Sequence, residues 1–247
     1  MTLSSLGAVL ALLLPAASAA FARPVDPAKV AVVFTTHSNH TRTLGLAIGA
    51  GATAAGCTVR TQSIGSALGP VDEAAEAAAL AAINWADGVA VGAPTYNGNP
   101  ASKMLSWAER TWESAPPPAA QTCPWPTLGL GCTNDTSKQK FGAVFTTSGN
   151  PALGAEHALA SLTRLLWTYQ FQVVVPSPAG AFHTYGAVAA TLTTPFDQAG
   201  GDAWNNCKSG AQGKGSKCAG GGIAPMFADA GKALGAALCR SAKKRGT

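Results

Sequence analysis

Three short segments could do chemistry together, because each sets hydroxyl, amide and small residues directly after an apolar run. The first, Thr35 to Thr43 (TTHSNHTRT), brings Thr36, His37, Ser38, Asn39, His40 and Thr41 to the start of a helix. A helix N-terminus presents unpaired backbone N–H groups and a partial positive charge, so a phosphate fits there. The loop has no lysine, and the chain has neither the G-x-x-x-x-G-K nor the G-x-G-x-x-G pattern. That argues against a nucleoside-triphosphate loop and against a dinucleotide-binding turn. A hydroxyl-lined loop of this kind suits a single terminal phosphate. The second segment, Ala93 to Pro100 (APTYNGNP), holds Pro94, Thr95, Tyr96, Asn97 and Gly98. Pro, Asn and Gly make a tight turn that exposes backbone groups, which can read the polar edge of a planar ring. The third, Thr146 to Gly154 (TTSGNPALG), carries Thr147, Ser148, Gly149 and Asn150. Each segment also has a plain structural reading, as N-capping hydroxyls or an ordinary turn.

Other chemistries find less support. His37 and His40 form an H-x-x-H in a loop with no third ligand nearby, a pattern that reads as solvated or hydrogen-bonded rather than metal-binding. No paired carboxylates and no Ser-His-Asp set stand out. Trp112 and Trp167 read as core residues on helical stripes.

The elements that must position these loops alternate strand and helix. Short apolar runs at Lys29 to Thr35, Gly88 to Ala93, Lys140 to Thr147 and Gln172 to Pro176 are marks of strands buried on both faces, and Cys57 to Ser63 is a weaker one. Between them lie helical patterns: a run of small residues after Thr41, an Ala-rich stretch from Val71 to Asn84 with acids in its first turns, Ala101 to Trp112, the stripe Leu159-Leu162-Leu165-Leu166, and a closing helix on Phe227, Leu234 and Leu238. Five strands and five helices in alternation imply an α/β fold, a doubly wound parallel sheet in three layers. In such sheets ligands bind beyond the carboxyl ends of the strands, which is where all three segments fall.

Composition agrees with a single globular domain. The chain has 247 residues, 47% hydrophobic and only 12% charged. Alanine and glycine fill much of it, so smooth, closely packed helices are expected. The net charge of +5 sits partly in a short tail, Arg240 to Arg245, not on a long basic stripe, which disfavours nucleic-acid binding. Beyond the N-terminus there is no apolar run long enough to span a membrane. Residues 1–22 read as a signal peptide, with small-residue cleavage patterns after Ala19 or Ala22. The expected destination is the secretory route or the cell exterior, with a two-part plastid leader as the alternative. Residues 23–247 then form one domain, with inserted loops near 114–138 and 177–221.

The six cysteines include no C-x-x-C pair. Cys123 and Cys132 bracket one Pro/Gly-rich loop, and Cys207 and Cys218 bracket another, so both pairs are disulfide candidates in an oxidising compartment. Asn39-His40-Thr41 and Asn134-Asp135-Thr136 match the glycosylation pattern.

In the order VAVVFTTHSNHTRTLG, WADGVAVGAPTYNGNP and FGAVFTTSGN, the chain resembles the flavodoxin-like FMN proteins. It is most similar to their NAD(P)H:quinone oxidoreductase branch, the tryptophan-repressor-binding-protein-like group. The likeness covers roughly residues 29–187, with His183 to Ala187 similar to a segment distinctive of that branch. It implies a five-stranded sheet in the order 2-1-3-4-5, with Thr36, His37, Ser38, Asn39, His40 and Thr41 as the phosphate loop. Pro94, Thr95, Tyr96, Asn97 and Gly98 would meet the isoalloxazine and ribityl parts, and Thr147, Ser148, Gly149 and Asn150 would wall the other side. It also implies an oligomeric enzyme that passes two electrons from NAD(P)H through FMN to a quinone, the flavin carrying the chemistry. The alternatives are a flavodoxin-type one-electron carrier, disfavoured by the basic net charge, and a secreted flavin-less binding or structural protein. Departures from the branch are Asn39 in place of glycine, Tyr96-Asn97 in place of an Arg-aromatic pair, and Tyr169-Gln170 where histidines often stand near the active site.

In that topology the first and last helices share a face and run away from the carboxyl ends of the strands. Cys57, just after the first helix, and Cys239, at the end of the last, should therefore be neighbours and a third disulfide candidate.

Overall fold

The computed structural model describes residues 26–112, 139–149, 154–175, 186–190, 223 and 225–244. The leader at 1–22, the pairs Cys123/Cys132 and Cys207/Cys218, the Asn134 sequon, Asn150 and His183 to Tyr185 lie outside the described residues. In chain order the elements are β1 (Lys29–Thr36), α1 (His40–Ala54), β2 (Thr58–Ser66), α2 (Glu73–Trp85), β3 (Gly88–Tyr96), β4 (Asn99–Pro100), α3 (Ser102–Trp112), β5 (Phe141–Ser148), α4 (Ala155–Thr168), β6 (Gln172–Val173), β7 (Gly186–Ala190) and α5 (Pro225–Lys243).

The sheet runs β2-β1-β3-β5-β6, with β7 also paired to β5 and the short β4 paired antiparallel to β3. All other pairings are parallel. The expected order 2-1-3-4-5 is therefore present, but the strand inventory needs one correction. The fifth strand is not a single run from Gln172 to Pro176. It is built in two pieces against one neighbour: β6 pairs with Phe141 and Gly142, and β7 pairs with Val144 to Ser148. Residues 186–190 thus belong to the sheet, although they were expected within a loop at 177–221. The sequence GAVAA is short and lacks the β-branched bulk that marks a strand.

Alternation along the strands feeds two cores. Ala31, Val33, Val89, Val91, Ala93, Val144 and Val188 face α2, α3 and α4. Val30, Val32, Phe34, Ala90, Ala143, Phe145, Ala187 and Ala189 face α1 and α5. The period of two is the direct consequence of the pleat, and burial on both sides explains why β1 and β3 read as continuous apolar runs.

The α1/α5 side is packed at backbone distance. A side-chain carbon on Gly235 would lie 1.9 Å from the Ile48 carbonyl oxygen, so only glycine fits there. Where the two helices end, Cys57 and Cys239 form a disulfide with their Cα atoms 5.9 Å apart, as the topology predicts.

On the other side Trp112 is fully buried, edge-on to Trp107 at 5.5 Å and to Tyr169 at 4.9 Å. Trp167 is not a core residue: it is 57% exposed. Leu159, Leu162 and Leu166 set the buried stripe of α4, and Trp167 lies one residue, about 100°, off it.

Candidate functional site

β1, β3 and β5 are parallel neighbours that end at Thr36, Tyr96 and Ser148, so the three loops emerge together at one edge of the sheet. This brings together all the site residues expected from the sequence, apart from Asn150, which lies outside the described residues.

In the first loop, Asn39 takes the left-handed conformation (φ 65°), one that asparagine adopts more readily than most residues. That turn aims the chain into α1, whose N-terminus carries no side-chain cap. By contrast α2 is capped in the ordinary way, Asp72 accepting a hydrogen bond from the Ala75 N–H at 3.0 Å. The first amides of α1 are thus left for another acceptor. Beside them the Thr36 hydroxyl is buried and, among the described residues, has no hydrogen-bond partner, a costly arrangement unless something else completes it. His37, Ser38 and Asn39 are exposed. The Ser38 hydroxyl and His40 Nδ1 are 2.8 Å apart, and burial holds the His40 imidazole below the usual histidine pKa, favouring the neutral ring.

Asn97 and Gly98 follow one another with φ of 49° and 79°, closing a two-residue hairpin between Tyr96 and Asn99. Consecutive left-handed residues at Asn-Gly are the expected solution for such a hairpin. A side-chain carbon on Gly98 would meet nothing within 4 Å, so that side of the turn opens onto free space. Its other side rests on the start of α4, since a carbon on Gly154 would come within 2.4 Å of Gly98 Cα. Pro94 is buried, and Tyr96 leans on the core of the α2/α3/α4 side, where burial raises its phenol pKa.

Hydroxyls tie the loops to each other. Thr41 Oγ1 and Thr147 Oγ1 are 2.7 Å apart, joining first and third. Thr95 Oγ1 and Thr146 Oγ1 are 2.8 Å apart, and Thr146 Oγ1 donates to the Ala93 carbonyl at 2.6 Å, joining second and third. Thr41, Thr147 and Ser148 are buried and serve as the floor of the edge, while Thr36 to His40 and Asn97 and Gly98 form its rim. Thr146 was not singled out by the sequence reading as a site residue. Its place in a run of hydroxyls at a strand end was the available signal. The loop after β2 also joins the site's foundation, through Thr35 Oγ1 to the Gly65 carbonyl (2.9 Å) and the Ala67 N–H to the Thr36 carbonyl (2.9 Å).

Tyr169 and Gln170 are not near this edge. They follow the far end of α4, just before Gln172 pairs with the first residue of β5. They therefore sit at the amino ends of the strands, and Tyr169 is a buried member of the aromatic cluster.

Comparison with solved structures gives the fold its class: it is flavodoxin-like. The chain is similar to a flavodoxin, WrbA-like protein from Agrobacterium tumefaciens, at TM-score 0.54 and 16% identity over 88% of this chain and 99% of that one. It is also similar to a flavone reductase, at TM-score 0.53 and 12% identity over 87% of this chain and 63% of the other. A third likeness is to the rubredoxin oxygen:oxidoreductase of Desulfovibrio gigas, at TM-score 0.51 and 14% identity over 89% of this chain. There the match spans 37% of the longer protein. No protein-family model matches the chain, and no curated protein matches it in sequence.

Proposed function

We propose that the protein is an FMN-dependent oxidoreductase that takes two electrons from NAD(P)H and delivers them to a quinone. The observation that carries the cofactor is the buried, unpartnered Thr36 hydroxyl beside the uncapped N-terminus of α1. A terminal phosphate supplies the acceptor that both lack. The open side of Gly98, above the Asn97-Gly98 turn, leaves room for a flat ring against backbone. The likeness to a flavodoxin, WrbA-like protein supports the same reading.

FMN, when bound, supplies the two-electron chemistry. The chain's own part is to bind, orient and shield. Thr36 and the first amides of α1 would hold the phosphate, with Ser38 and His40 nearby on the same loop. Pro94 to Gly98 would border the ring, and the Thr41–Thr147 and Thr95–Thr146 ties hold the three loops at fixed spacing. Orientation of this kind is what a cofactor enzyme draws from its scaffold.

The Cys57–Cys239 disulfide supports an oxidising compartment and, with the leader, a secretory destination. It also favours a second reading, a flavin-less binding or structural protein, because reduced nicotinamides are scarce outside cells. One experiment separates the two. The chain from Arg23, produced in an oxidising host, is examined by visible spectroscopy, and any flavin released on denaturation is identified. Stoichiometric FMN, followed by quinone-dependent NAD(P)H oxidation, is expected. A folded, colourless protein that stays empty with added FMN would leave only the second reading.

A further inference from the structure

Lys140 and Lys103 are both buried, and they are satisfied very differently. Lys140, 3% exposed, donates from Nζ to the carbonyls of Ile83, Asn84 and Ala86, each at 2.8 Å, so its three N–H groups have three acceptors at the end of α2. Lys103, 9% exposed, lies on the first turn of α3 and, among the described residues, donates to the Pro70 carbonyl alone. Among the described residues no carboxylate forms an ion pair with it. Of the two acids of this region, Asp72 caps α2 through Oδ1 on the Ala75 N–H, and Glu76 pairs with Arg110 through both oxygens at 2.8 and 2.9 Å. A buried ammonium short of acceptors is costly unless a partner comes from outside.

Room for one is adjacent. Lys103 lines a groove of about 340 Å³ between the loop after β2 and α3, together with Ser102, Ser106, Arg110, Leu68 and Val71. The lining is sorted by chemistry. Lys103, the hydroxyls of Ser102 and Ser106 and the start of α3 offer donors, while Leu68 and Val71 stand 65% and 53% exposed at its side. The groove opens at the same carboxyl end of the sheet as the three loops, displaced toward β2 and on the α3 face: Ala67, which borders it, donates its N–H to the Thr36 carbonyl at 2.9 Å.

We propose that the groove is a second anion site, which binds the phosphate of a small phosphomonoester through Lys103, Ser102 and Ser106. A tetrahedral oxyanion offers acceptors in several directions at once, which matches donors that come from one side chain and two turns of a helix. Leu68 and Val71 then cover the organic body that carries it. The proposal does not depend on the redox reading.

The test is calorimetric titration of the full chain with inorganic phosphate and with adenosine 2′,5′-bisphosphate. The proteins are the wild type, Lys103→Met, Ser102→Asp and, as a control for the loop after β1, Thr36→Val. The wild type and Thr36→Val should bind, while Lys103→Met and Ser102→Asp should bind at least about tenfold more weakly. An aspartate in the first turn favours the helix dipole, so Ser102→Asp keeps its fold while repelling the anion, and its melting temperature checks this. Tighter binding of the bisphosphate, weakened by Leu68→Ser, would assign an organic phosphate; equal binding of both probes would assign the free ion. Absence of binding to the wild type, loss in Thr36→Val alone, or equal binding by all four proteins would overturn the proposal.

Discussion

Gly51 of α1 faces Lys232 of α5 so closely that a side-chain carbon on the glycine would lie 2.0 Å from the lysine's carbonyl oxygen. The obstacle is backbone, not a side chain that can swing away. The two helices must separate if anything larger than hydrogen is placed there. Gly51→Ala should therefore destabilise by about 1–3 kcal/mol and Gly51→Val by more. The melting temperature reads this as a drop of about 2–4 °C per kcal/mol. An unchanged melting point for Gly51→Val would mean that α1 and α5 do not meet at this distance.

The Cys57–Cys239 bond closes a loop of 182 residues, from the end of α1 to the end of α5. A cross-link of that span restricts the unfolded chain strongly, and its removal should cost about 2–5 kcal/mol. The paired substitution Cys57→Ala/Cys239→Ala, compared with wild type in urea, measures it. Reductant should lower the wild-type midpoint toward that of the double variant and leave the variant's own midpoint where it was, provided no other bridge contributes.

Much of this architecture was legible in the sequence because it rests on strong local signals. The apolar runs of β1, β3 and β5 are long enough to fix a buried parallel sheet, and once that topology is assumed the meeting of Cys57 and Cys239 follows from helix direction alone. The split fifth strand was not legible. β6 has two residues, and the GAVAA of β7 carries no period that separates it from a loop. Trp167 was misjudged for a related reason: a tryptophan next to Leu166 looks like core until the α4 stripe is fixed by its neighbours. At the site, residue types revealed the loops but not their ties. That Thr41 faces inward to Thr147 depends on how α1 sits over β5, a tertiary relation with no local mark.

His40 makes stability depend on pH with a definite sign. Burial lowers its folded-state pKa below the ordinary value of 6.5, so in that range the unfolded chain binds more protons than the folded one. Its contribution is complete above the unfolded pKa and is lost as pH falls from about 6.5 through the depressed folded value. His40→Gln should flatten this part of the profile. Melting temperatures of both proteins between pH 5 and 8, without phosphate in the buffer, provide the comparison. Parallel curves would show that His40 does not titrate differently on folding.

The inward Thr41–Thr147 pair should behave as a coupled unit. Each hydroxyl is the other's partner in a buried place, so Thr41→Val or Thr147→Val alone strands one polar group at a cost of about 1–3 kcal/mol. The double valine variant removes both hydroxyls and should cost clearly less than the sum of the singles. Urea midpoints of the four proteins complete the cycle. Additive losses would mean that the hydroxyls do not satisfy each other.

Thr36 should show the opposite balance. Its hydroxyl is buried without a partner, so it contributes nothing to the empty protein and carries the cost of lost hydration. Thr36→Val keeps the branched shape and removes that cost, so the FMN-free protein should be as stable as wild type or slightly more stable. If a phosphate completes the hydroxyl, the same substitution removes a hydrogen bond to a charged group, worth about 1.5–3 kcal/mol, and weakens FMN by roughly tenfold or more. Paired measurements decide the matter: urea unfolding without flavin, and flavin fluorescence quenching for affinity. A stability gain with weakened FMN is the signature of a residue held in reserve for its ligand. A stability loss with unchanged FMN affinity would make Thr36 an ordinary structural threonine, and the phosphate would have to be held by the amides of α1 without it.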